Sequence, residues 1–426
     1  MIRLPEGTTE ASRSAQVKNG GYMATYKKNV CKVVTFKIIY EEQDLGSENA
    51  MSFKPEMSHQ IFGDSESIFG YKQLAITINM LHNSCLCYLD LKSAGAINKA
   101  GMKPDDIIAS LDAWLPSDTT RSCDEFVEWI KNEQHNQIYG DVISSFKCKV
   151  NANELSNSTI TYKITENDMH NNDFKDFHAR FETYIIWFID AANYIDMGDP
   201  KWVIFYVYEE GKHQVGNVSC RTPVAFCTVY KFFAYPNKYR PRISQIFVLP
   251  SHQKQGIGTN LYATISKKFR LDEEVIDIAV EEPTSDFQKI RDLEDCGVMH
   301  KALLEQKINY FTTSSKVIFQ LGYKNKIGKK QMQRVYDILG LYYASQRGYT
   351  YHRRIVANIK TRTKDQSDRD CQPGKRFCKI GPSRAHPDTM LREVVDVEFE
   401  RYYSGLAPSV EYLKVKMDDW LQRNNE

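Results

Sequence analysis

The sequence predicts an α+β protein, in which a mostly antiparallel sheet with flanking helices is followed by a helical C-terminal region. Segments rich in β-branched and aromatic residues follow one another through modest polar connections between residues 202 and 250. Other segments repeat apolar residues three and four positions apart, which is the spacing of one buried helix face. Beyond residue 326 this helical spacing dominates.

The composition is typical of a globular chain. Of 426 residues, 42% are hydrophobic and 26% are charged, and the formal net charge is +2. So small a net charge does not hold nucleic acid by itself, and a basic partner would need a local acidic groove. No apolar run reaches the length of a bilayer span, and the first residues lack the hydrophobic segment of a signal peptide. The ten cysteines contain no CxxC pair, which predicts reduced thiols in the cytosol or nucleus and no metal site.

The N-terminal third divides into a polar tail and a small α/β domain. Residues 1–29 are predicted to be a flexible tail because they are polar and small. A domain predicted over residues 30–150 opens with the strand "KVVTFKIIYEE". Within that domain, Phe126, Trp129 and Ile130 have the spacing of one face of a short helix.

Residues 151–325 are predicted to form a second domain with an antiparallel meander. Its first element is a helix over Phe174–Met197, which has apolar residues three and four apart. The strands "KWVIFYVYEE", "VAFCTVYKFF" and "RISQIFVLP" follow in sequence, and their modest connections favour a meander. A helix from Gly258 to Phe269 comes next, and then a strand "EVIDIAVEEP" that Pro283 ends.

Residues 326–426 are predicted to be mainly helical. The basic segment 347–379 is predicted to be an irregular connection, and "REVVDVEFERYYSGL" and "VEYLKVKMDDWLQR" are predicted to be two separate helices. Another helix is predicted before the basic segment, and its apolar stripe consists of Met332, Val335, Ile338, Leu339 and Tyr342.

A polar loop with two glycines joins the last meander strand to the next helix. It has the pattern Q-x-x-G-x-G at Gln253, Gly256 and Gly258. The first turn of a helix has unpaired N–H groups and the positive end of the dipole, and both suit a diphosphate. Glycine allows close approach to the backbone, and Lys254 adds a charge. A plain strand-to-helix turn is nevertheless the commoner structure, so both interpretations stay open at this point.

Two other phosphate-binding loops are excluded. A Walker A motif needs a lysine directly after its last glycine, and none follows Gly258. The dinucleotide fingerprint needs a third glycine where this chain has Leu261.

Two adjacent carboxylates form a second candidate feature. Glu281 and Glu282 follow the apolar residues of a predicted strand, so they are placed to face a cleft at its end. Burial or a like charge raises the pKa of a carboxyl group, which suits a general base near neutral pH. The alternative is a solvated turn before Pro283.

Five separated blocks of the chain occur in the order of one known family. The order strand, Q-x-x-G-x-G, helix, strand is similar to the core of the GNAT acyltransferase superfamily. Together the blocks resemble the type B histone acetyltransferase catalytic subunits, from about residue 33 to residue 345. The blocks are "HQIFGDSESIFGYKQL", "WFIDAANYIDMGDPKW", "YPNKYRPRISQIFVLPSHQKQGIG", "DIAVEEPTSDFQKIRD" and "QMQRVYDILGLYY".

The resemblance implies a GNAT core over residues 151–325 that binds acetyl-coenzyme A and uses no metal. It implies transfer of the acetyl group to lysine amines of newly made histone, chiefly the H4 tail, with histone 2A as a further candidate. It also implies a WD-repeat histone-binding partner, no required DNA binding, and a location in nucleus and cytoplasm. Two alternatives stay open: a GNAT enzyme for another amine acceptor, and a catalytically weak histone-binding or chaperone subunit.

The resemblance also implies roles for individual residues. Glu281 matches the proposed general base, and Asp190 and Glu282 match accessory carboxylates, although the family has Glu and Asp at those two positions. Acidic positions that contact the histone tail match Asp64 and Glu66, and the strand segment Tyr230, Lys231 and Phe232 matches a wall of the same groove. Lys231 replaces a neutral residue. The implied coenzyme contacts are Ile246, Phe247, Val248, Gln253, Lys254, Gln255, Gly256, Ile257, Gly258, Thr259 and Asp286.

Two neighbouring positions depart from the family pattern near the coenzyme thiol. Asp286 and Phe287 stand where the family has Ser and Tyr, so this chain has no phenol there to protonate a thiolate. This departure is what keeps the catalytically weak subunit open as an alternative.

Overall fold

The computed structural model describes residues 25–97, 101–149, 159–212, 219–370 and 387–424. Most of the predicted tail, and residues 371–379 of the predicted irregular connection, lie outside these ranges. The chain divides into two compact units. The first unit comprises Met1–Thr228 and Gln245–Ile257, and the second comprises Val229–Ser244 and Gly258–Glu426.

Strands and helices are both abundant, as an α+β class requires, and the strands of the described residues form three sheets. The strands are β1 Lys27–Asn29, β2 Val34–Ile39, β3 Ser52–Phe53, β4 Ser67–Phe69, β5 Ala75–Leu81, β6 Cys87–Lys92, β7 Asp141–Lys149, β8 Thr159–Asn167, β9 Trp202–Lys212, β10 Ser219–Ala234, β11 Lys238–Val248 and β12 Ala279–Val280. The helices are α1 Val30–Val33, α2 His59–Phe62, α3 Ile107–Asp112, α4 Cys123–Asn132, α5 Asn172–Glu182, α6 Ile185–Phe188, α7 Ile257–Leu271, α8 Ser285–Glu305, α9 Ser315–Lys324, α10 Lys329–Arg347, α11 Tyr349–Asp370 and α12 Pro387–Arg423, with short 3₁₀ helices at Glu42–Leu45 and Pro250–His252.

A four-stranded sheet of order β3-β2-β5-β6 forms the N-terminal part of the first unit. Its strand β2 pairs in parallel with β5 and in antiparallel fashion with β3. Helix α4 covers this sheet with Phe126 and Ile130, which pack on Ile39 and Leu81. The helical spacing seen in the sequence is therefore confirmed, with Trp129 partly buried at the edge of the same cluster.

The largest sheet has the order β12-β11-β10-β9-β8-β7. Strands β7, β8 and β9 pair in antiparallel fashion, and the predicted strands β9, β10 and β11 are neighbours in sequence order. Helix α5 packs Phe177 and Phe181 against the sheet, where each ring lies near that of Tyr206. Strand β12 is much shorter than the sequence suggested, because Ile278 already bonds to the backbone of Lys326.

The helix predicted over Phe174–Met197 ends early. The structure has α5, then the single turn α6, and then an irregular segment. Backbone groups of that segment bond to side chains instead of to a following helical turn: the N–H of Ile195 donates to Glu182 Oε1 at 2.9 Å, and the carbonyl of Ala192 accepts from Gln60 at 2.9 Å.

Helices of the second unit enclose an apolar cluster that contains the whole predicted stripe of α10. The prediction of an irregular connection is wrong for Tyr349–Asp370, which form α11, and the two predicted C-terminal helices are one helix, α12, with Pro408 inside it. Burial on both sides of the proline explains this continuity, because Leu406 and Val410 are both buried. None of the described helices is long and apolar enough to span a membrane.

Candidate active site

The glycine loop lies between the end of β11 and the start of α7, as the sequence predicted. Its backbone is left-handed at Lys254 and Gly256, with φ of +61° and +85°. Glycine at the second position avoids the Cβ clash that this conformation causes. The residues from Gln253 to Gly256 are exposed, so the loop is open to a ligand.

The predicted coenzyme strand offers its backbone. Phe247 is buried, and its ring stacks on Tyr184 with centroids 5.6 Å apart. The side chain of Phe247 therefore belongs to the core, and a ligand could reach only its main chain. Strand β12 pairs with β11 only as far as Ile243, whereas β11 runs on to Val248. The stretch of β11 beyond Ile243 is therefore not paired with β12.

Glu281 lies directly after β12, and its backbone N–H donates to Ile243 O at 2.9 Å. The hydroxyl of Ser244 donates to Oε2 of Glu281 at 2.8 Å, and Nη2 of Arg242 lies 3.3 Å from the same oxygen. Within the described part of the chain, no partner is found for Oε1. One carboxylate oxygen of Glu281 is thus held by Ser244 and Arg242, while the other has no partner among the described residues.

Part of the predicted peptide groove lies beside this carboxylate. The guanidinium of Arg242 stacks on the ring of Phe232 at 4.5 Å, and Phe232 contacts Tyr230 edge-on at 4.6 Å. Successive residues of a strand point to opposite faces, and the ammonium group of Lys231 lies instead 5.4 Å from the ring of Tyr239. This explains how a lysine can stand between two residues of the predicted groove wall: the side chain of Lys231 points away from Tyr230 and Phe232.

The accessory carboxylate Glu282 and the predicted coenzyme contact Asp286 are both exposed. Glu282 follows Glu281 with a left-handed φ of +32°, a conformation that costs about 1 kcal/mol or more outside glycine. Asp286, in the first turn of α8, forms an ion pair with Lys289 at 2.8 Å. Its neighbour Phe287 is buried and meets the ring of Tyr262 edge-on at 5.3 Å, so Phe287 has a packing role.

Asp190 is joined to the predicted acidic loop by a histidine. Nε2 of His59 lies 3.0 Å from Asp190 Oδ1, and its Nδ1 lies 4.0 Å from Glu66 Oε1. Glu66 in turn accepts a hydrogen bond of 2.6 Å from the backbone N–H of Ser58. Asp64 is exposed in the turn between α2 and β4. The first unit thus brings Asp190 and Glu66, which are far apart in sequence, to one imidazole.

A buried acid and base lie on one face of α5. Burial lowers the pKa of His178 to about 3, and burial raises the pKa of Glu182 to about 8 against the opposing hydrogen bonds from Ile195 and Gln245. The two side chains are 3.9 Å apart. Both groups are therefore neutral in the folded protein at pH 7.

This pair predicts that stability falls between pH 6.5 and 8. In the unfolded chain Glu182 loses its proton near pH 4.5, whereas in the folded protein its pKa is about 8. Between these two values the folded state binds more protons than the unfolded state, so the free energy of unfolding falls as pH rises. His178 opposes this trend only below pH 6.5, where the unfolded histidine takes up a proton. We expect unfolding in urea to show a decline of up to about 1.4 kcal/mol per pH unit. A Glu182→Gln variant should lack that decline, and an equal decline in the variant would contradict the assignment.

Sequence reasoning missed Arg242, Ser244 and the role of His59. The position of Ser244 beside Glu281 follows once the pairing of β11 with β12 is known. Because Ile243 pairs with Val280 in parallel register, residues one step further on each strand, Ser244 and Glu281, come side by side. His59 carried no signal in the sequence, since its contact with Asp190 depends on the tertiary fold.

Two family models match the chain in succession. Residues 26–190 match the histone acetyl transferase HAT1 N-terminus, and residues 166–286 match the acetyltransferase (GNAT) family. The chain therefore carries a HAT1 N-terminal domain followed by a GNAT acetyltransferase domain. The family, the α+β fold class and the acyltransferase class predicted from the sequence are thereby confirmed.

Curated relatives agree with this assignment. The chain is 28% identical over 345 residues to the mouse protein named histone acetyltransferase type B catalytic subunit, covering 80% of this chain and 81% of that one. It is also 28% identical over 348 residues to the human protein of the same name, with 80% of each chain covered. A solved aminoglycoside acetyltransferase from an uncultured soil sample covers 30% of this chain and 83% of its own at 18% identity, with a TM-score of 0.21.

Proposed function

We propose that this member of the type B histone acetyltransferase family transfers acetyl groups from acetyl-coenzyme A to lysine amines of the histone H4 tail. The observation that carries the proposal is the succession of a HAT1 N-terminal domain and a GNAT domain, supported by relatives that are named histone acetyltransferases. Acetyl-coenzyme A is the co-substrate that the GNAT family implies. The H4 acceptor, a WD-repeat partner and a nuclear and cytoplasmic location are the finer parts of this proposal.

The coenzyme would be held by backbone groups. The N–H groups at the start of α7 and the left-handed Gly256 suit the diphosphate. The stretch of β11 beyond Ile243 suits the amides of the pantetheine arm, which can add to a strand by main-chain hydrogen bonds. In this proposal Gln253 to Thr259, together with Ile246 to Val248, form the coenzyme contact.

The reaction would proceed by direct attack of the amine on the thioester. A free lysine amine has a pKa near 10.4 and is mostly protonated at neutral pH, so it needs a base before it can attack. Oε1 of Glu281 is the proposed acceptor of that proton, directly or through one water molecule, while Ser244 and Arg242 hold Oε2. A backbone N–H on the edge of β11 that is not paired with another strand would stabilise the oxyanion, and the coenzyme thiolate would leave without a phenol at Phe287.

An acceptor test distinguishes this proposal from its alternatives. The full chain is incubated with labelled acetyl-coenzyme A and either histone H4 peptide, spermine or no acceptor. Label in the peptide alone supports the proposal. Label in spermine would favour another amine acceptor, and label in neither would favour a binding subunit, which the buried Phe287 leaves open.

The acidic turn predicts a specific effect on peptide binding. Asp64 is exposed, and a charge reversal, Asp64→Lys, would repel a basic tail instead of attracting it. We expect the KM for H4 peptide to rise about tenfold at low salt, since losing and reversing one attraction changes the binding free energy by about 1–2 kcal/mol. Steady-state kinetics with each substrate varied in turn checks this, and the KM for acetyl-coenzyme A serves as the internal control. An unchanged peptide KM would remove Asp64 from the groove.

A further inference from the structure

A polar cluster of the first unit lies beside the part of the glycine loop that belongs to the same unit, Gln253 to Ile257. Its centre is the carboxylate of Glu209 on β9, whose Oε2 accepts hydrogen bonds from Tyr162 Oη at 2.9 Å and from His252 Nε2 at 3.0 Å. His252 and Tyr162 are almost completely buried. The cluster therefore connects strand β9 to His252, the residue immediately before Gln253 of the loop.

The same cluster also reaches the far side of the loop. Nδ1 of His252 lies 2.9 Å from Ser251 Oγ, and the hydroxyl of Tyr162 lies 3.3 Å from Gln255 Oε1. The thiol of Cys148 donates to the backbone carbonyl of Gln255 at 3.1 Å. The loop is therefore attached to the sheet at His252 on one side and at Gln255 on the other.

The strained part of the loop lies between these two attachments. Lys254 has a left-handed φ of +61°, which costs about 1–2 kcal/mol for a residue with a Cβ. Such strain persists only where the surrounding structure over-determines the conformation. The attachments at His252 and Gln255 hold the backbone of Lys254 in this conformation from both sides. They thereby fix the direction in which the N–H groups before Gly256 point.

The cluster is strong because its central acceptor is charged. Burial favours the neutral form of Glu209, but the hydrogen bond and the electrostatic attraction of His252, together with the hydrogen bond from Tyr162, outweigh it and lower the pKa of the carboxyl. Hydrogen bonds to an ionised acceptor are about twice as strong as those between neutral groups. Removing one of them in a buried setting therefore loosens the loop more than an ordinary surface change would.

We infer that Tyr162, Glu209 and His252 are positioning residues that hold the glycine loop in its diphosphate-binding shape and thereby set the affinity for acetyl-coenzyme A. This inference rests on the proposed coenzyme site and adds residues outside the family's loop pattern to it. The cluster does not touch the coenzyme or the acceptor lysine in this scheme. Its loss should therefore act on coenzyme binding and leave the chemical step intact.

The first test removes a single hydroxyl. Tyr162→Phe keeps the buried ring and deletes the hydrogen bond to Glu209 and the longer contact with Gln255, and we expect the Kd for acetyl-coenzyme A, measured by calorimetry, to rise about 3- to 10-fold. The matched control is Tyr206→Phe, which deletes another buried hydroxyl of the same unit, bonded to His178 at 2.6 Å. Its Kd should stay at the wild-type value even if its melting temperature falls. Equal Kd values for the two variants would overturn the inference.

The second test uses two adjacent glutamates of β9 that face opposite sides of the strand. Glu209→Gln should raise the Kd for acetyl-coenzyme A about tenfold or more. Glu210→Gln should not, because Glu210 pairs instead with Lys163 and Arg221. In both tests the KM for acetyl-coenzyme A should follow the Kd, while kcat at saturating coenzyme and the peptide KM stay constant. A fall in kcat at unchanged Kd would contradict a positioning role.

Failure of the inference and failure of the proposed function give different results. If wild-type protein shows no calorimetric binding of acetyl-coenzyme A, the proposed function fails and the positioning role fails with it. If wild type binds and both Tyr162→Phe and Glu209→Gln bind equally well, the inference alone is wrong. A raised Kd in these two variants, with both controls unchanged, supports it.

Discussion

Replacing Glu281 by Gln should lower kcat for acetylation of H4 peptide by about 10²- to 10⁴-fold. The amide has nearly the same size as the carboxylate and can still accept the hydrogen bond from Ser244, so the strand end should keep its shape. It cannot take a proton from the substrate ammonium group. The Kd for acetyl-coenzyme A should therefore stay close to that of the wild type.

The neighbouring carboxylate provides the matched control for this experiment. Glu282 is exposed and has no charge partner among the described residues, whereas Glu281 is held by Ser244 and Arg242. We expect Glu282→Gln to lower kcat by less than tenfold, an order of magnitude short of the loss from a general base. Turnover near the wild-type value in Glu281→Gln would remove Glu281 from the base role, and a larger loss in Glu282→Gln would move that role to its neighbour.

Arg242 explains why this carboxylate differs from its neighbour. Its guanidinium contacts both Oε2 of Glu281 and the ring of Phe232, so one side chain links the proposed base to the proposed wall of the peptide groove. A cation at this place also favours a defined carboxylate orientation over a mobile one. In this orientation Arg242 and Ser244 hold Oε2 and not Oε1, and Oε1 is the oxygen that the proposed chemistry uses as proton acceptor.

The sequence could predict the positions of the loop and of the paired carboxylates because both depend on local order along the chain. A glycine pair between a strand and a helix, and two carboxylates at a strand end, are visible without knowing which strands are neighbours. The contacts of His59 with Asp190 and of Glu209 with His252 could not be predicted in this way. Each joins residues more than 40 positions apart, and their meeting depends on sheet order and on the packing of α5.

The helix errors have a related physical cause. Apolar residues continue after Phe188 at helical spacing, yet the chain turns because Glu182 and Gln60 bond its backbone groups, and Ala191 takes a left-handed φ of +54°. In α12 the opposite occurs. Pro408 predicts a break, but the apolar face on both sides of it is buried in one cluster, and burial outweighs the lost backbone hydrogen bond.

Replacing Asp292 by Ala should destabilise the helical second unit by about 3–5 kcal/mol, the range for breaking a buried ionic network by removing one partner. Asp292 is buried on α8 and accepts hydrogen bonds from both neighbouring helices. Arg334 of α10 donates at 2.7 Å, and Ser409 of α12 donates at 2.7 Å. Two side-chain amides complete the set, Gln288 at 2.6 Å and Gln331 at 3.0 Å.

The loss is large because the partners stay behind. Without the carboxylate, Arg334 keeps a positive charge in a mostly buried position, and Ser409 loses its acceptor in the interior. Trp420 is the last tryptophan of the chain and is buried against Gly297 of α8, where an added Cβ would overlap the indole. Its fluorescence should therefore report the separation of α12 from α8 as urea is raised.

The control for this prediction is the same substitution at an exposed ion pair between two helices of the same unit. Asp396→Ala removes the partner of Lys360, which links α12 to α11 at 2.8 Å on the surface. Exposed pairs contribute little because water and salt screen them. We expect the urea midpoint of Asp396→Ala to match that of the wild type. A midpoint for Asp292→Ala equally close to the wild type would show that the helices are held by their apolar cluster alone, and that the buried carboxylate serves only to satisfy Arg334.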